Sequence, residues 1–279
     1  MNRYSIWIVS PPNYPHSQCF DEIAIGFNAA FRALGLKADI VRDPSRLGDI
    51  TIVLGTNLLP GITVPTDYRL ILFNLEQITP QSPWLTAEYL SLLGRYPVWD
   101  YSERNISELA RIGIQAKFCG IGYMPELGRI ASAPEDIDVL FVGSLNERRV
   151  AVLEQIAAQG AKVEAKFNVY GSARDRLIAR SKVILNLHFY ESRVFEIVRV
   201  SYLLANQKCV VSEIGIDRSF KQQFEPGVTF APYDKLAETC MRLLQNPITR
   251  RDLAQSGFDR IVSLPQTEYL RRALDSLSP

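Results

Sequence analysis

The stretch from Asp138 to Ser144, DVLFVGS, decides the fold of this chain. It is an apolar run that ends in a glycine, which is typical of a buried strand followed by a tight turn. The apolar run Tyr4–Val9 has the same character, and the second run comes about halfway along the 279 residues. A chain of this length can build two domains with separate cores. The return of a first strand at Asp138 therefore predicts a second domain.

Strands and helices alternate on both sides of this restart. Asp21–Leu34 has apolar residues at helical spacing, whereas the strands are continuous apolar runs, as in parallel sheets buried on both faces. This alternation predicts an α/β fold of two Rossmann-like domains facing each other across a cleft. Small residues and a proline make 128–137 the linker. We expect domains at 1–130 and 131–262, with a last helix within 263–279.

Composition restricts the classes of function. Lys and Arg number 31 and Asp and Glu 30, so a net charge of +1 argues against a nucleic-acid or acidic-membrane partner. The four cysteines form no CxxC pair and fit neither a zinc site nor a disulfide framework. No stretch approaches the ~20 apolar residues of a membrane span, and Tyr4–Ser10 is too short for a signal peptide. We expect a cytoplasmic protein with reduced thiols.

The turn after Val142 is a candidate phosphate site. Gly143 and Ser144 follow the strand, and a helix begins shortly afterwards. Free N–H groups and the helix dipole at such a terminus favour an anion. Arg148 and Arg149 add guanidinium donors that bind phosphate bidentately. The same residues also fit a solvated surface turn.

Polar residues concentrate in two later connections. Tyr170 and Gly171 follow an extended segment, where an aromatic ring can stack on a nucleobase. Asn186–Glu196 joins a strand to a helix, at the sheet edge where open α/β folds bind ligands. Within it, His188 can approach a phosphate or a sugar hydroxyl, and Glu196 can accept two hydrogen bonds from a ribose diol or act as a capping carboxylate. Ser192 is the predicted N-cap, and Arg193 is counted with these candidate donor-binding residues.

The second half resembles the C-terminal domain of GT-B-fold glycosyltransferases. The resemblance rests on the order of elements across 138–262, which includes the segments CVVSE (Cys209–Glu213), FEPGV (Phe224–Val228) and NPITR (Asn246–Arg250). It implies a nucleotide diphosphate sugar, such as a UDP-sugar, as donor substrate, with no tightly bound cofactor and no metal. It also implies that the last helix crosses back to the first domain.

The sequence departs from that family at two points. Ser144 stands where the family often has Arg, while Arg149 matches the family's phosphate-binding Lys. The family's Glu-x7-Glu element, which holds the donor sugar and ribose, is absent, because Glu191 and Glu196 are five apart. Either glutamate can do the family's work, and we prefer Glu196 because it opens the helix.

The first domain is expected to bind the acceptor. The loop after the first strand contains His16, and a residue in this loop is the general base in several GT-B families. Histidine suits that task near neutral pH. Glu76 and Asp100, at other strand ends, are rivals that can instead position neighbouring groups.

These features predict a hexosyltransferase-like, metal-independent glycosyltransferase. Its acceptor is open between a glycan, a lipid-linked molecule and a small molecule, and so is the choice between inverting and retaining chemistry. A nucleotide-sugar epimerase, a non-catalytic nucleotide-binding relative and a periplasmic-type binding protein are the alternatives. The whole chain also resembles uncharacterised bacterial glycosyltransferase-like proteins, in segments such as FNLEQ (Phe73–Gln77).

Overall fold

The computed structural model describes residues 3–63, 68–80, 82–189, 194–216 and 218–277. The chain divides into two compact units, Met1–Glu126 with Leu264–Pro279, and Leu127–Ser263. In the described ranges, no helix combines the length and the apolar character needed to cross a membrane.

The first unit is built on parallel strands in the order β2-β1-β3-β4-β5-β6. The strands are β1 (Tyr4–Ile8), β2 (Ala38–Val41), β3 (Ile50–Leu54), β4 (Arg69–Asn74), β5 (Val98–Asp100) and β6 (Ala116–Phe118). The helices of this part of the chain are α1 (Asp21–Ala33), α2 (Ala87–Leu93) and α3 (Glu103–Arg111). β3 and most of β4 are buried, as the continuous apolar runs predicted.

The second unit has parallel strands in the order β11-β10-β9-β7-β8. Its strands are β7 (Ile137–Val142), β8 (Val163–Lys166), β9 (Ser181–Asn186), β10 (Val210–Glu213) and β11 (Val228–Ala231). Its helices are α4 (Glu147–Ala158), α5 (Gly171–Ala179), α6 (Ile197–Ala205), α7 (Arg218–Phe224), α8 (Leu236–Leu244) and α9 (Pro247–Val262). A final helix, α10 (Gln266–Asp275), belongs to the first unit. Two parallel sheets with intervening helices confirm the α/β prediction.

Three local predictions differ from the structure. α6 begins at Ile197 and has Glu196 at its N-cap position, whereas Ser192 was the predicted N-cap. The strand before Tyr170 already ends at Lys166, and Tyr170 is the N-cap of α5. No local pattern in the sequence predicted α7 and β11. They are held by tertiary contacts: the ring of Phe195 lies 5.8 Å from that of Phe224 on α7 and 5.4 Å from that of Phe230 on β11.

Candidate functional site

The order in which the chain adds strands to the second sheet reverses between β7 and β9. From β7 the chain adds β8 on one side and then continues on the other side with β9 and β10. Open parallel sheets bind ligands at the carboxyl ends of the strands beside such a switch. At this edge β7 is followed by Gly143, β9 ends at Asn186 and β10 ends at Glu213.

Two arginine side chains converge on Gly143. A Cβ built on this glycine would lie 3.3 Å from the Phe141 ring, 3.4 Å from Arg199 Nη2 and 3.5 Å from Arg149 Nη1. Only the approach to Phe141 is tighter than ordinary van der Waals packing, so an added Cβ would press on that ring and would lie in ordinary contact with both guanidinium groups. Two guanidinium groups thus lie directly beside the turn, where both can donate hydrogen bonds to one anion.

Arg149 is a buried cation that also holds the turn together. Its side chain is 3% exposed, Nη1 donates to the Ser144 carbonyl at 2.7 Å, and Nη2 donates to the Leu187 carbonyl. Among the described residues, Nε has no hydrogen-bond partner. Burial, together with the neighbouring charge of Arg199, lowers the pKa of Arg149 to about 10. An anion beside Gly143 would relieve this repulsion between like charges.

Glu196 is held in place by two buried side chains. His188 Nδ1 lies 3.0 Å from its carboxylate, and Asn186 Nδ2 donates to Oε2 at 2.8 Å. The Oδ1 atom of Asn186 accepts a hydrogen bond from Arg199 Nη1 at 3.1 Å. The Glu196 side chain makes no cap hydrogen bond to α6, so it is not a capping carboxylate. It is 16% exposed, which leaves part of the carboxylate accessible to a ligand.

His188 is 1% exposed, and both of its ring nitrogens have protein partners. Nε2 lies 3.1 Å from the Glu213 carbonyl, and Nδ1 faces Glu196. A carbonyl and a carboxylate both accept hydrogen bonds, so these partners stabilise the imidazolium form, in which both nitrogens carry hydrogen. Burial alone would lower its pKa, but Glu196 and Glu213 raise it overall. These contacts make His188 a residue that orients Glu196, rather than one that reaches a ligand itself.

Arg148 is engaged in a different way from Arg149. Its guanidinium pairs with both carboxylate oxygens of Glu213, at 2.7 Å for Nη1 to Oε2, and lies 4.1 Å from the Tyr233 ring centroid. The Tyr233 hydroxyl donates to the Arg148 carbonyl at 2.8 Å. Glu213 is 1% exposed, so this pair fixes the end of β10 against the start of α4.

The structure describes some of the other predicted donor-binding residues and not others. Tyr170 and Gly171 are half-buried at the start of α5, with Gly171 at φ +51°. Ser144 is half-buried in the Gly143 turn. Glu191, Ser192 and Arg193 lie outside the described residues.

The loop predicted to hold the base lies at the corresponding edge of the first sheet. The strand order of that sheet reverses between β1 and β3. His16 lies in the 3-10 helix Pro15–Phe20, which follows β1. The Tyr14 and His16 rings meet edge to face, with centroids 5.0 Å apart. Burial raises the pKa of the Tyr14 hydroxyl, and the charges of Cys19 and Glu76 raise it further. Tyr14 therefore contacts His16 through its ring and senses the charge of Glu76 at its hydroxyl.

Glu76 is fixed by a buried hydrogen-bond network at the ends of β4 and β5. Its N–H donates to Asn74 Oδ1 at 3.2 Å, and its carbonyl accepts from Nδ2 of both Asn74 and Asn105 at 3.0 Å. The Tyr89 hydroxyl donates to Asn74 Oδ1 at 2.7 Å. Asn74 and Asn105 are fully buried, whereas the Glu76 side chain is half-buried. Burial raises the pKa of Glu76 to about 7, which suits a general base.

Asp100, the other predicted rival, lies at the centre of this network. Its carboxylate accepts from Asn74 Nδ2 at 2.6 Å, from the Ser102 N–H at 2.8 Å and from Asn105 Nδ2 at 3.2 Å. It is fully buried, and burial raises its pKa to about 7 although these donors act in the opposite direction. Asp100 therefore holds the residues that hold Glu76.

Three residues of the site were not predicted individually from the sequence. Arg199 follows Glu196 by three positions, and residues at that spacing share a helix face. Asn186 was noted only as part of the polar segment, and Glu213 only as part of the resemblance. Their roles depend on three neighbouring strands ending together, which strand order alone decides.

Comparison with known proteins identifies the fold. No family model matches the chain. Uncharacterized protein L140 of Acanthamoeba polyphaga mimivirus is 30% identical over 188 residues, which cover 64% of this chain and 60% of L140. The chain thus spans less than two thirds of that relative. L140 is a viral protein, so this match does not support the bacterial resemblance.

Several solved structures match nearly the whole chain, including those of HepE and AviGT4. Anabaena HepE in complex with UDP-glucose matches with a TM-score of 0.66 and 10% identity, over 99% of both chains. AviGT4, a glycosyltransferase involved in avilamycin A biosynthesis, matches with a TM-score of 0.64 and 14% identity, over 99% of this chain and 98% of its own. The chain therefore has the GT-B fold of glycosyltransferases, as the resemblance predicted.

Proposed function

We propose that the protein is a glycosyltransferase that moves a sugar, of the hexosyl type, from a UDP-like nucleoside diphosphate sugar to an acceptor hydroxyl. The observation that carries this proposal is the convergence of Arg149 and Arg199 on Gly143 at the strand switch of the second sheet. Two like charges held together by protein contacts favour a ligand with high negative charge density, such as a diphosphate.

The arginine pair supplies the chemistry of the leaving group. As the bond from the sugar to the diphosphate breaks, negative charge accumulates on the phosphate oxygens. Guanidinium groups that already lie in position stabilise that charge without reorganising. Arg149 is suited to this task because its Ser144 and Leu187 contacts fix the side chain before a ligand binds.

Glu196 is proposed to bind donor hydroxyls. A carboxylate whose orientation is fixed by His188 and Asn186 can accept two hydrogen bonds from a diol. Burial would raise its pKa, but His188 and Arg199 lower it overall, so the group is ionised at neutral pH. The adjacent Arg199 links this diol site to the phosphate site through Asn186.

On the acceptor side, we assign the base to Glu76. Its backbone is fixed, and its pKa of about 7 allows it to take a proton from a hydroxyl near neutral pH. His16, which contacts Tyr14, is the rival. A base on the acceptor goes with inversion, so the anomeric configuration of the product tests the assignment.

Donor binding tests the proposal directly. We expect UDP and UDP-sugars to raise the melting temperature, and Glu196→Gln to weaken UDP-sugar binding about tenfold or more, the effect of losing one hydrogen bond to a charged group. Glu164→Gln is the matched control, because Glu164 on β8 pairs with the surface Lys166 at 3.0 Å. Lack of stabilisation by any nucleoside diphosphate or its sugar would rule the proposal out. Conversion of the donor to an epimer without acceptor would favour the epimerase.

A further inference from the structure

A basic groove lies at the amino-terminal edge of the second sheet. It has a volume of about 270 Å³ and is lined by Glu135, Lys182, Gln207, Lys208, Cys209, Pro247, Arg250, Arg251 and Ala254. Lys182 is near the start of β9, and Cys209 immediately precedes β10. The Gly143 site lies at the other ends of these strands, roughly 17 Å away along a six-residue strand. The groove is thus separate from the proposed donor site.

The charges around the groove do not balance. Its lining has the cations Lys182, Lys208, Arg250 and Arg251 and a single carboxylate, Glu135. Outside the lining, Asp138 Oδ1 pairs with Lys182 Nζ at 2.6 Å. Even with both carboxylates counted, two positive charges remain in excess within a concave surface, and such a surface concentrates anions.

Two of the cations are half-buried and are aligned by backbone carbonyls. Lys208 Nζ donates to the Ala179 carbonyl at 3.2 Å, and Arg250 Nη1 donates to the carbonyls of Leu243 and Leu244 at 2.8 and 2.7 Å. These carbonyls end helices α5 and α8, so they orient the two side chains and offset part, but not all, of each positive charge. Burial lowers the pKa of Lys208, although the charge of Glu135 acts in the opposite direction.

The start of helix α9 faces the same groove. Pro247, its first residue, and Arg250 and Arg251 in the next turn all belong to the lining. The Asn246 side chain caps this sixteen-residue helix by accepting from the Thr249 N–H. The positive end of the helix dipole therefore adds to the arginine and lysine charges. Ile248, beside Pro247, is 63% exposed.

We propose that this groove binds phosphate groups. The ligand carries at least two negative charges and is held by Lys208, Arg250 and Arg251. Either a free phosphate compound or an anionic lipid headgroup has this chemistry. In the lipid case, the exposed Ile248 would enter the bilayer surface beside the bound headgroup. The proposal is independent of the glycosyltransferase assignment, because the groove shares no lining residue with the Gly143 site.

Two binding assays on the full chain test the groove. The first titrates inorganic pyrophosphate at constant ionic strength and follows the melting temperature. The second measures co-sedimentation with phosphatidylcholine vesicles, with and without phosphatidylglycerol. We expect Arg251→Glu and Lys208→Met each to weaken binding at least tenfold. Arg242→Glu is the matched control, because it changes the net charge as Arg251→Glu does but lies outside the lining.

The pattern across variants decides the outcome. Pyrophosphate stabilisation that Arg251→Glu and Lys208→Met remove and Arg242→Glu retains supports the site with a free phosphate ligand. The same pattern with vesicles, together with loss on Ile248→Ser, supports it with a lipid headgroup. The proposal is overturned if neither assay shows binding, if the groove variants bind like wild type, or if Arg242→Glu loses as much as Arg251→Glu. Melting temperatures without ligand verify that each variant is folded.

Discussion

Glu76 follows the end of β4 and Glu196 lies at the N-cap position of α6, and the surroundings of these two carboxylates shift their pKa values in opposite directions. Glu196 has an imidazolium and an arginine as neighbours, which lower its pKa. Glu76 has a fixed backbone, and burial raises the pKa of its carboxyl group to about 7. Such separation of pKa values matches the proposed division of roles, in which Glu196 binds the donor and Glu76 accepts a proton.

We predict that kcat/KM rises with pH through about 7 and that Glu76→Gln removes this rise, because only the ionised carboxylate accepts a proton. The loss should be on the order of 100-fold or more at pH 8. The measurement is a pH profile of donor turnover for wild type, Glu76→Gln and His16→Ala, with the exposed Glu88→Gln as control. A pH rise that persists in Glu76→Gln and disappears in His16→Ala would transfer the base to His16.

Unfolding gives a second readout for Glu76 that does not depend on activity. Its folded pKa lies above the ordinary value, so the folded state retains a proton that the unfolded state has released between about pH 4.5 and 7. Stability therefore falls as pH rises through this window, by on the order of 1–2 kcal/mol after allowance for solvent screening. We expect Glu76→Gln to gain stability relative to wild type between pH 5 and pH 8.

At the scale of elements, the contact between β11 and α9 depends on two glycines. A Cβ on Gly227 would lie 2.0 Å from the Gly257 Cα, whereas one on Gly257 would lie 2.8 Å from the end of the Leu204 side chain and 3.0 Å from the Gly227 carbonyl oxygen. The helix therefore packs on the segment before β11 with backbone against backbone. The FEPGV segment, which is part of the family resemblance, has this steric reason for its glycine.

We predict that Gly227→Ala destabilises the second unit by about 1–3 kcal/mol, since backbone atoms have to separate. Gly257→Ala should cost less, because the Leu204 side chain can rotate away. Gly94→Ala, whose Cβ would have no neighbour closer than 3.6 Å, is the control and should stay within about 0.5 kcal/mol. Urea unfolding followed by far-ultraviolet circular dichroism measures all three. Equal stability of the Gly227→Ala variant and wild type would contradict this packing.

At the scale of the whole molecule, the chain returns to its first unit after Ser263. Gln266 is 3% exposed; its Oε1 accepts from the Gly122 N–H at 2.7 Å, and its Nε2 donates to the Gly120 carbonyl at 3.1 Å. α10 then packs on α1. The stability of the first unit thus depends on residues that follow the second unit in sequence.

We predict that Gln266→Ala destabilises the first unit by about 1–3 kcal/mol, because the buried Gly122 N–H loses its acceptor. The three tryptophans, Trp7, Trp84 and Trp99, all belong to that unit, so their fluorescence reports its unfolding selectively. Gln255→Ala is the control, because Gln255 makes an exposed hydrogen bond to Asp259. An unchanged fluorescence midpoint in Gln266→Ala would contradict the anchoring role.

The sequence by itself determined the α/β class, most strands and helices, and the turn at Gly143, because apolar periodicity and glycine turns are local properties of the chain. It also predicted Arg149, Glu196 and Glu76 as site residues, since polar residues at strand ends stand out against apolar runs. Only the tertiary structure decided which of these residues meet. The convergence of Arg199 with Arg149, the orientation of Glu196 by His188, and the Asn74–Asn105 support of Glu76 join strand ends that are distant in sequence and adjacent only through sheet order. β11 and α7 likewise depend on packing around Phe195, which no local pattern predicts.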